Sequence, residues 1–166
     1  MNKGLLQVIL AIVLAVGMAG CSKFRSYNGP EVTRVVVMKA DRRMYLLHED
    51  TVLRSFDIDL GFAPEGHKQF EGDGRTPEGR YLINRRNPDS DYHLSVGISY
   101  PNVEDREFAS IMGRSPGGDI FIHGGPVRGR DRGGPDWTAG CISVTNREIE
   151  DIYAMVRDGT VIDIYP

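Results

Sequence analysis

Apolar residues fall along this chain mostly in short alternating runs, and only twice in the 3.6-residue rhythm of a helix. Val32–Met38 is β-branched and largely apolar, and the turn residues Lys39–Arg42 separate it from Met44–His48, the pattern of a hairpin. Val52–Leu60 alternates, with Phe56, Ile58 and Leu60 on its inner side. Three such runs joined by short turns predict an antiparallel sheet. Arg80–Asn84 and Tyr92–Tyr100 follow as strands. The second carries Leu94, Val96 and Ile98 on one face and His93, Ser95, Gly97 and Ser99 on the other, so His93 is expected to be exposed. Asn102 caps a helix over Val103–Met112, with Phe108, Ala109 and Met112 on its apolar side and Gly113 at its end. Asp119–Ile122, Ile142–Val144 and Thr160–Ile164 complete the strands. Between the last two, Thr145-x-x-Glu148 has the form of a capping box and Ile149, Ile152, Tyr153 and Val156 make the stripe of a second helix. About eight strands and two short helices predict a mainly β domain, a sandwich or a partly closed barrel.

Two glycine-rich stretches interrupt this pattern. Gly61–Gly79 holds five Gly and two Pro in nineteen residues, and loops of that length in a compact domain are often functional. His67 and Lys68 lie in it and are expected to be solvated; Asp73 and Glu78 have no separation that the sequence fixes. The second stretch, residues 124–140, holds six Gly and two Pro in seventeen residues and joins His123 to Cys141. If the strands flanking it are neighbours in one sheet, imidazole and thiol meet. A free thiol is mostly protonated at neutral pH and needs such a base. A Cys/His nucleophilic site is therefore predicted.

Composition narrows the reading. A chain of 166 residues with 40% hydrophobic residues is long enough for one domain with a full core. A formal charge of −3 leaves no polyanion-binding footprint, so nucleic acid is not an expected partner. No further Cys or His stands near Cys141 or His123 at ligand spacing, so neither a metal nor another cofactor is expected.

The first twenty residues read differently. A basic start at Lys3, an uncharged apolar run over Gly4–Met18 and then Ala19-Gly20-Cys21 have the anatomy of a secretory signal, shorter than the ~20 residues that usually span a bilayer. Small residues before a Cys resemble the bacterial lipoprotein processing box. That resemblance implies a signal peptide over 1–20, a lipid on Cys21 that attaches the protein to a membrane, and Ser22 as the outer-membrane sorting residue of a Gram-negative cell. Residues 21–30 then form a lipidated Cys and a tether that reaches at most ~30 Å, and residues 31–166 form the domain. With Cys21 lipidated, Cys141 is the sole free thiol. An unpaired thiol is an oxidation risk in an exported compartment, and its retention favours a chemical role.

Ile122-His123-Gly124, the group Thr138-x-Gly140-Cys141-Ile142 and the run Gly72-Asp73-Gly74-Arg75-Thr76-Pro77-Glu78-Gly79 closely resemble the L,D-transpeptidase catalytic domain, the YkuD type, over Val32–Pro166. The resemblance implies a β-rich fold and a Cys nucleophile that attacks a peptidoglycan stem peptide before its terminal D-Ala and passes the acyl group to an amine. Carried over, Cys141 matches the nucleophile and His123 the base. Gly140 precedes the nucleophile, and the N–H groups of Gly140 and Cys141 are candidates for an oxyanion hole, where each donor is worth about 3 to 4 kcal/mol. Thr138 matches the supporting Ser/Thr, and the carbonyl of Gly124 is the candidate to orient the imidazole. Arg128, Arg130 and Arg132 can meet stem carboxylates or serve as solvated loop charges. The sequence departs from the commonest motif at Ala139, where a second His usually precedes the Gly-Cys pair, and at Ser143, where an Arg is often found. Transfer to an amine leads the readings; hydrolysis or amidase action through the same thioester and a non-catalytic wall-binding lipoprotein are the alternatives.

Overall fold

The computed structural model describes residues 22–131 and 133–166. The signal segment, Cys21 and Arg132 lie outside the described residues. Eight strands run in the order β1 (Arg34–Met38), β2 (Arg43–His48), β3 (Thr51–Asp57), β4 (Gly79–Asn87), β5 (Ser95–Ile98), β6 (Phe121–His123), β7 (Ile142–Ser143) and β8 (Val161–Tyr165). Helix α1 (Val103–Ile111) lies between β5 and β6, and α2 (Asn146–Met155) between β7 and β8. All eight strands belong to one sheet in the order β3-β2-β1-β8-β4-β5-β6-β7. The fold is mainly β, as the pattern predicts, and of the two architectures expected it is the curled, partly closed barrel.

The closure has a specific cause. Alternation continues past β3, so Ile58 and Leu60 are buried like Phe56, and the chain keeps an extended course. Asp59 there exchanges both backbone hydrogen bonds with Ser143, at 2.9 and 2.8 Å, and Phe62 N donates to the Thr138 carbonyl at 2.9 Å. Residues just beyond one edge strand thus reach the other edge and draw the sheet into a curl. Apolar residues at every second position of β1, β2, β4 and β8 fill its inside, among them Val35, Val37, Met44, Leu46, Tyr81, Ile83, Ile162 and Ile164. In β5 all four residues are buried, on both faces, because one side meets the core and the other is covered at the site.

Both helices are capped as the sequence predicts, and they differ in how they are held. In α2, Thr145 and Glu148 form the capping box, and Ile149, Ile152 and Val156 are fully buried against β5 and β6. Each such side chain contributes about 1.5 to 3 kcal/mol. Helix α1 does not bury the stripe expected of it. Ala109 is buried, whereas Phe108 and Met112 are 42% and 55% exposed. What ties α1 down is polar: Asp105, 8% exposed, accepts from the Asn102 amide at 2.9 Å and from Tyr81 Oη at 3.0 Å, and lies 2.9 Å from His67 Nε2. A buried carboxylate with three partners replaces an apolar seam, which periodicity alone does not reveal.

Ser22–Pro30, expected as a free lead, lies against the domain. Lys23 Nζ donates to the Pro88 carbonyl at 2.6 Å, and Arg25 is paired with Glu150 and Asp151 of α2. His93, expected to be exposed, is half-buried with Nε2 2.8 Å from Glu150 Oε1; strand β5 begins two residues later, and His93 has a left-handed φ of 74°, so alternation does not reach it.

Candidate active site

Strands β6 and β7 are parallel neighbours, with Ile122 opposite Ile142 and His123 opposite Ser143. Side chains alternate across a strand, so the two Ile enter the core and Phe121, His123 and Ser143 take the other face, with Cys141 at the entry to β7. The seventeen-residue loop therefore leaves imidazole and thiol at one end of one sheet. Both line a cleft of about 400 Å³, together with Tyr92, Ser95, Asp119 and Phe121.

His123 is 4% exposed and its orientation is set on three sides. Nδ1 lies 2.6 Å from the Gly124 carbonyl. A carbonyl only accepts, so Nδ1 carries the hydrogen and Nε2 keeps its lone pair. The ring of Tyr92 stacks on the imidazole with centroids 4.4 Å apart, and Trp137 meets it edge-on at 5.7 Å. The Tyr92 hydroxyl donates to Asp131 Oδ1 at 3.2 Å, and the Arg130 guanidinium covers the outer face of that ring at 4.4 Å. Burial holds His123 below the ordinary imidazole pKa of 6.5, against the opposing pull of the Gly124 carbonyl. Gly124 must be glycine: a Cβ would lie 2.5 Å from Asn146 Oδ1 and 2.9 Å from the Tyr92 carbonyl.

Cys141 is half-buried. Its sulfur accepts from the Phe121 N–H at 3.4 Å and donates to the Asp119 carbonyl at 3.5 Å. Burial raises the thiol above its ordinary value of 9.0, while the Phe121 amide and the Lys68 charge oppose the rise. With the thiol raised and the imidazole lowered, the cleft at neutral pH holds a neutral thiol and a neutral imidazole, so His123 Nε2 is available as a base.

The turn before the nucleophile is built by Thr138. Its hydroxyl donates to the Cys141 carbonyl at 2.7 Å and accepts from the Gly140 N–H at 3.2 Å. The Gly140 amide is thus engaged by the turn instead of facing the cleft as expected for an oxyanion donor, and Gly140, like Thr138, supports the site. Gly140 has a φ of +136°, and a Cβ there would lie 2.7 Å from the Arg75 carbonyl. Only glycine accepts that backbone and that approach. Of the three arginines, Arg130 packs over Tyr92 and lies 3.8 Å from Asp91 and Asp131, and Arg128 is exposed. Among the described residues no three of His, Cys, Asp or Glu cluster as a metal site.

Loop 61–79 corrects a second expectation. Lys68 is 3% exposed, not solvated; its ammonium donates to the Phe70 carbonyl at 3.0 Å and to Asp73 Oδ1 at 2.9 Å. Asp73 also accepts the amides of Gln69, Phe70 and Arg75. Burial alone would raise its pKa, but these donors outweigh it and hold the carboxyl at about 2. His67 is fixed too, with Nδ1 accepting the Glu78 amide at 2.9 Å and Nε2 against Asp105. Sequence reasoning missed Tyr92, Trp137, Asp131 and Lys68, whose partners are all distant in sequence or inside a loop without period.

A profile of the L,D-transpeptidase catalytic domain matches residues 32–164. The chain belongs to the L,D-transpeptidase catalytic-domain family. It is 32% identical over 110 residues to YafK of Escherichia coli K12, an alignment covering 61% of this chain and 39% of that one. The helical cell shape determining protein Pgp2 of Campylobacter jejuni superposes with a TM-score of 0.61 at 26% identity, over 90% of this chain and 52% of Pgp2. An L,D-transpeptidase of Mycobacterium smegmatis shares the fold, with a TM-score of 0.55 at 15% identity over 81% of this chain and 59% of that one. The chain spans about two fifths of YafK and about half of Pgp2. In this L,D-transpeptidase domain Cys141 and His123 line one cleft, with Ala139 two residues before the Cys.

Proposed function

We propose that the protein is a Cys-dependent acyltransferase of the L,D-transpeptidase type that acts on peptidoglycan stem peptides and remodels or cross-links the cell wall. The observation that carries the reading is the fixed tautomer of His123, whose Nδ1 hydrogen bond to the Gly124 carbonyl leaves Nε2 as a base in the cleft that also holds the Cys141 sulfur. In the first half-reaction, Sγ attacks the stem carbonyl that precedes the terminal D-Ala while His123 Nε2 takes the thiol proton. Collapse of the tetrahedral intermediate breaks the C–N bond, the imidazolium returns its proton to the leaving amine, and a thioester remains. An amine from a second stem or from an anchored protein then attacks the thioester, gives its proton to His123, and Cys141 leaves as the thiol. A lipid on Cys21 would place the domain at the periplasmic face of the outer membrane, where stem peptides lie within reach.

Hydrolysis remains the competing outcome of the same thioester. What favours it is Ala139, exposed beside Cys141 where a larger side chain would shield the sulfur from water. Incubation of the purified protein with tetrapeptide muropeptides, followed by mass spectrometry, separates the readings. Cross-linked dimers that have lost D-Ala are the expected product; shortened monomers alone would indicate hydrolysis. Cys141→Ala should lower either product by a factor of about 1,000 or more, and turnover equal to wild type in that variant refutes the nucleophile.

A further inference from the structure

Cys141 borders a second cavity, on the side away from His123. This space of about 200 Å³ lies between the Gly72 and Gly117–Gly118 turns and is lined also by Lys68, Asp119 and Ala139. Ala139, which is exposed, contributes only a methyl group to its wall. A buried ammonium adjoins it. Lysine has three N–H donors, and two are satisfied, by the Phe70 carbonyl and Asp73 Oδ1. The third has no acceptor within hydrogen-bond distance among the described residues; the ammonium also lies over the Tyr100 ring, 6.0 Å from its centroid.

The pairing with Asp73 does not cancel the charge at the cavity. Three backbone amides already solvate the Asp73 carboxylate, and the Lys68 charge is felt at Cys141 in the direction that favours an anion there. The other acids at this cavity are weak competitors: Asp119 has a side chain 83% exposed and paired with Arg85, and Glu71 is exposed. Water screens both far more than it screens a buried ammonium.

We infer that Lys68 and the space beside Ala139 form a carboxylate subsite, which takes a free carboxylate of a peptide bound at Cys141. The inference deepens the proposed reaction and rests on it for the source of the carboxylate, though not for the presence of the subsite.

Alkylation of Cys141 tests the subsite without any wall substrate. Iodoacetate and iodoacetamide form the same S–C bond and release iodide, and they differ in charge. The ratio of their rates in the protein, divided by that of a free cysteine peptide, should fall about five- to tenfold in Lys68→Met at low ionic strength. Ala139→Leu fills the cavity without touching the Lys68–Asp73 pair and should lower the same ratio. If Lys68→Met does not fold, Ala139→Leu decides alone. A ratio within about twofold of wild type in the folded variants overturns the assignment, since twofold is well below the effect of one buried charge at this range.

Two further arms identify the source. A tetrapeptide with a C-terminal carboxamide tests the acyl donor, and an amino acid against its carboxamide tests the acceptor. Preference for the acid in one arm, lost in Lys68→Met, assigns the carboxylate to that peptide. If no stem peptide turns over while the alkylation ratio still depends on Lys68, the proposed reaction fails and the anion subsite stands.

Discussion

Loops 61–79 and 124–140 are alike as strings of residues, glycine-rich and without period, yet the fold treats them in opposite ways. The first is fixed from inside by charge. Lys39, 2% exposed, donates to the Gly66 and Thr76 carbonyls and to Glu78, and Lys68 and Asp73 close the loop's own centre. The second is held nearer its two ends and from outside: Tyr92 and Trp137 pack on His123, Asp136 pairs with Arg42 and accepts the Leu60 amide, and Thr138 ties the turn into Cys141. Its middle, at Arg128 and Gly129, stays exposed. Glycine content therefore says little about rigidity. What decides is whether a polar side chain inside the loop finds enough donors and acceptors to be buried.

The largest expected effect comes from breaking the charged hub. Asp73→Ala leaves the buried Lys68 ammonium without its counter-ion and should cost about 3 to 5 kcal/mol of stability, read from the denaturant midpoint. Because Asp73 titrates at about 2 in the fold against 3.8 normally, its contribution is complete above pH 4 and is lost as pH falls from about 4 toward 2. The wild type should lose about 2 kcal/mol over that window, and Asp73→Ala should show a flatter profile there. Equal acid profiles for the two proteins would mean that the loop is held by something other than this carboxylate.

A smaller effect on stability, and a larger one on chemistry, is expected from the aromatic wall. Trp137→Leu opens one side of His123 to water. The burial that lowers the imidazole pKa then weakens, and the value should move up toward 6.5. Titration of the His123 ring proton by NMR reads the shift directly. The acid limb of kcat/KM should move the same way, because only the deprotonated ring accepts the thiol proton. A ring pKa identical in wild type and Trp137→Leu would remove Trp137 from the account.

The same contrast explains what could be read from the sequence. Strands and both capping boxes follow from period and from local hydrogen-bonding motifs, whereas the meeting of His123 and Cys141 is conditional on β6 and β7 being neighbours, and their parallel pairing is what brings the two residues to one cleft. Lys68 and His67 could not be read this way. Their burial depends on Asp73, Asp105 and the Glu78 amide, and no alternation marks a loop residue as inward. Helix α1 stands where expected, but the apolar stripe differs for a related reason: Phe108 and Met112 face out, and its anchor is the N3 carboxylate of Asp105. Tyr92 belonged to an expected strand, but the strand starts at Ser95, and the freed segment instead lays the ring on His123.

The weakest effect separates two neighbouring arginines in the loop at the active site. Arg130 is exposed but covers the Tyr92 ring, and such a cation–π contact is worth about 0.5 to 1 kcal/mol. Arg128 is exposed, and a surface change of that kind stays within about 0.5 kcal/mol. Arg130→Ala should therefore loosen the stack on His123 and lower kcat/KM about two- to fivefold, with little change in thermal stability, whereas Arg128→Ala should leave both at wild-type values. The stem peptide gives a sharper form of the test. If either arginine instead binds a substrate carboxylate, its alanine variant should raise KM for the acid and not for the carboxamide, while loss of the stack alone should affect both substrates equally. Equal losses for acid and carboxamide in Arg130→Ala would assign that side chain to support of the ring, and leave the carboxylate to the cavity on the other side of Cys141.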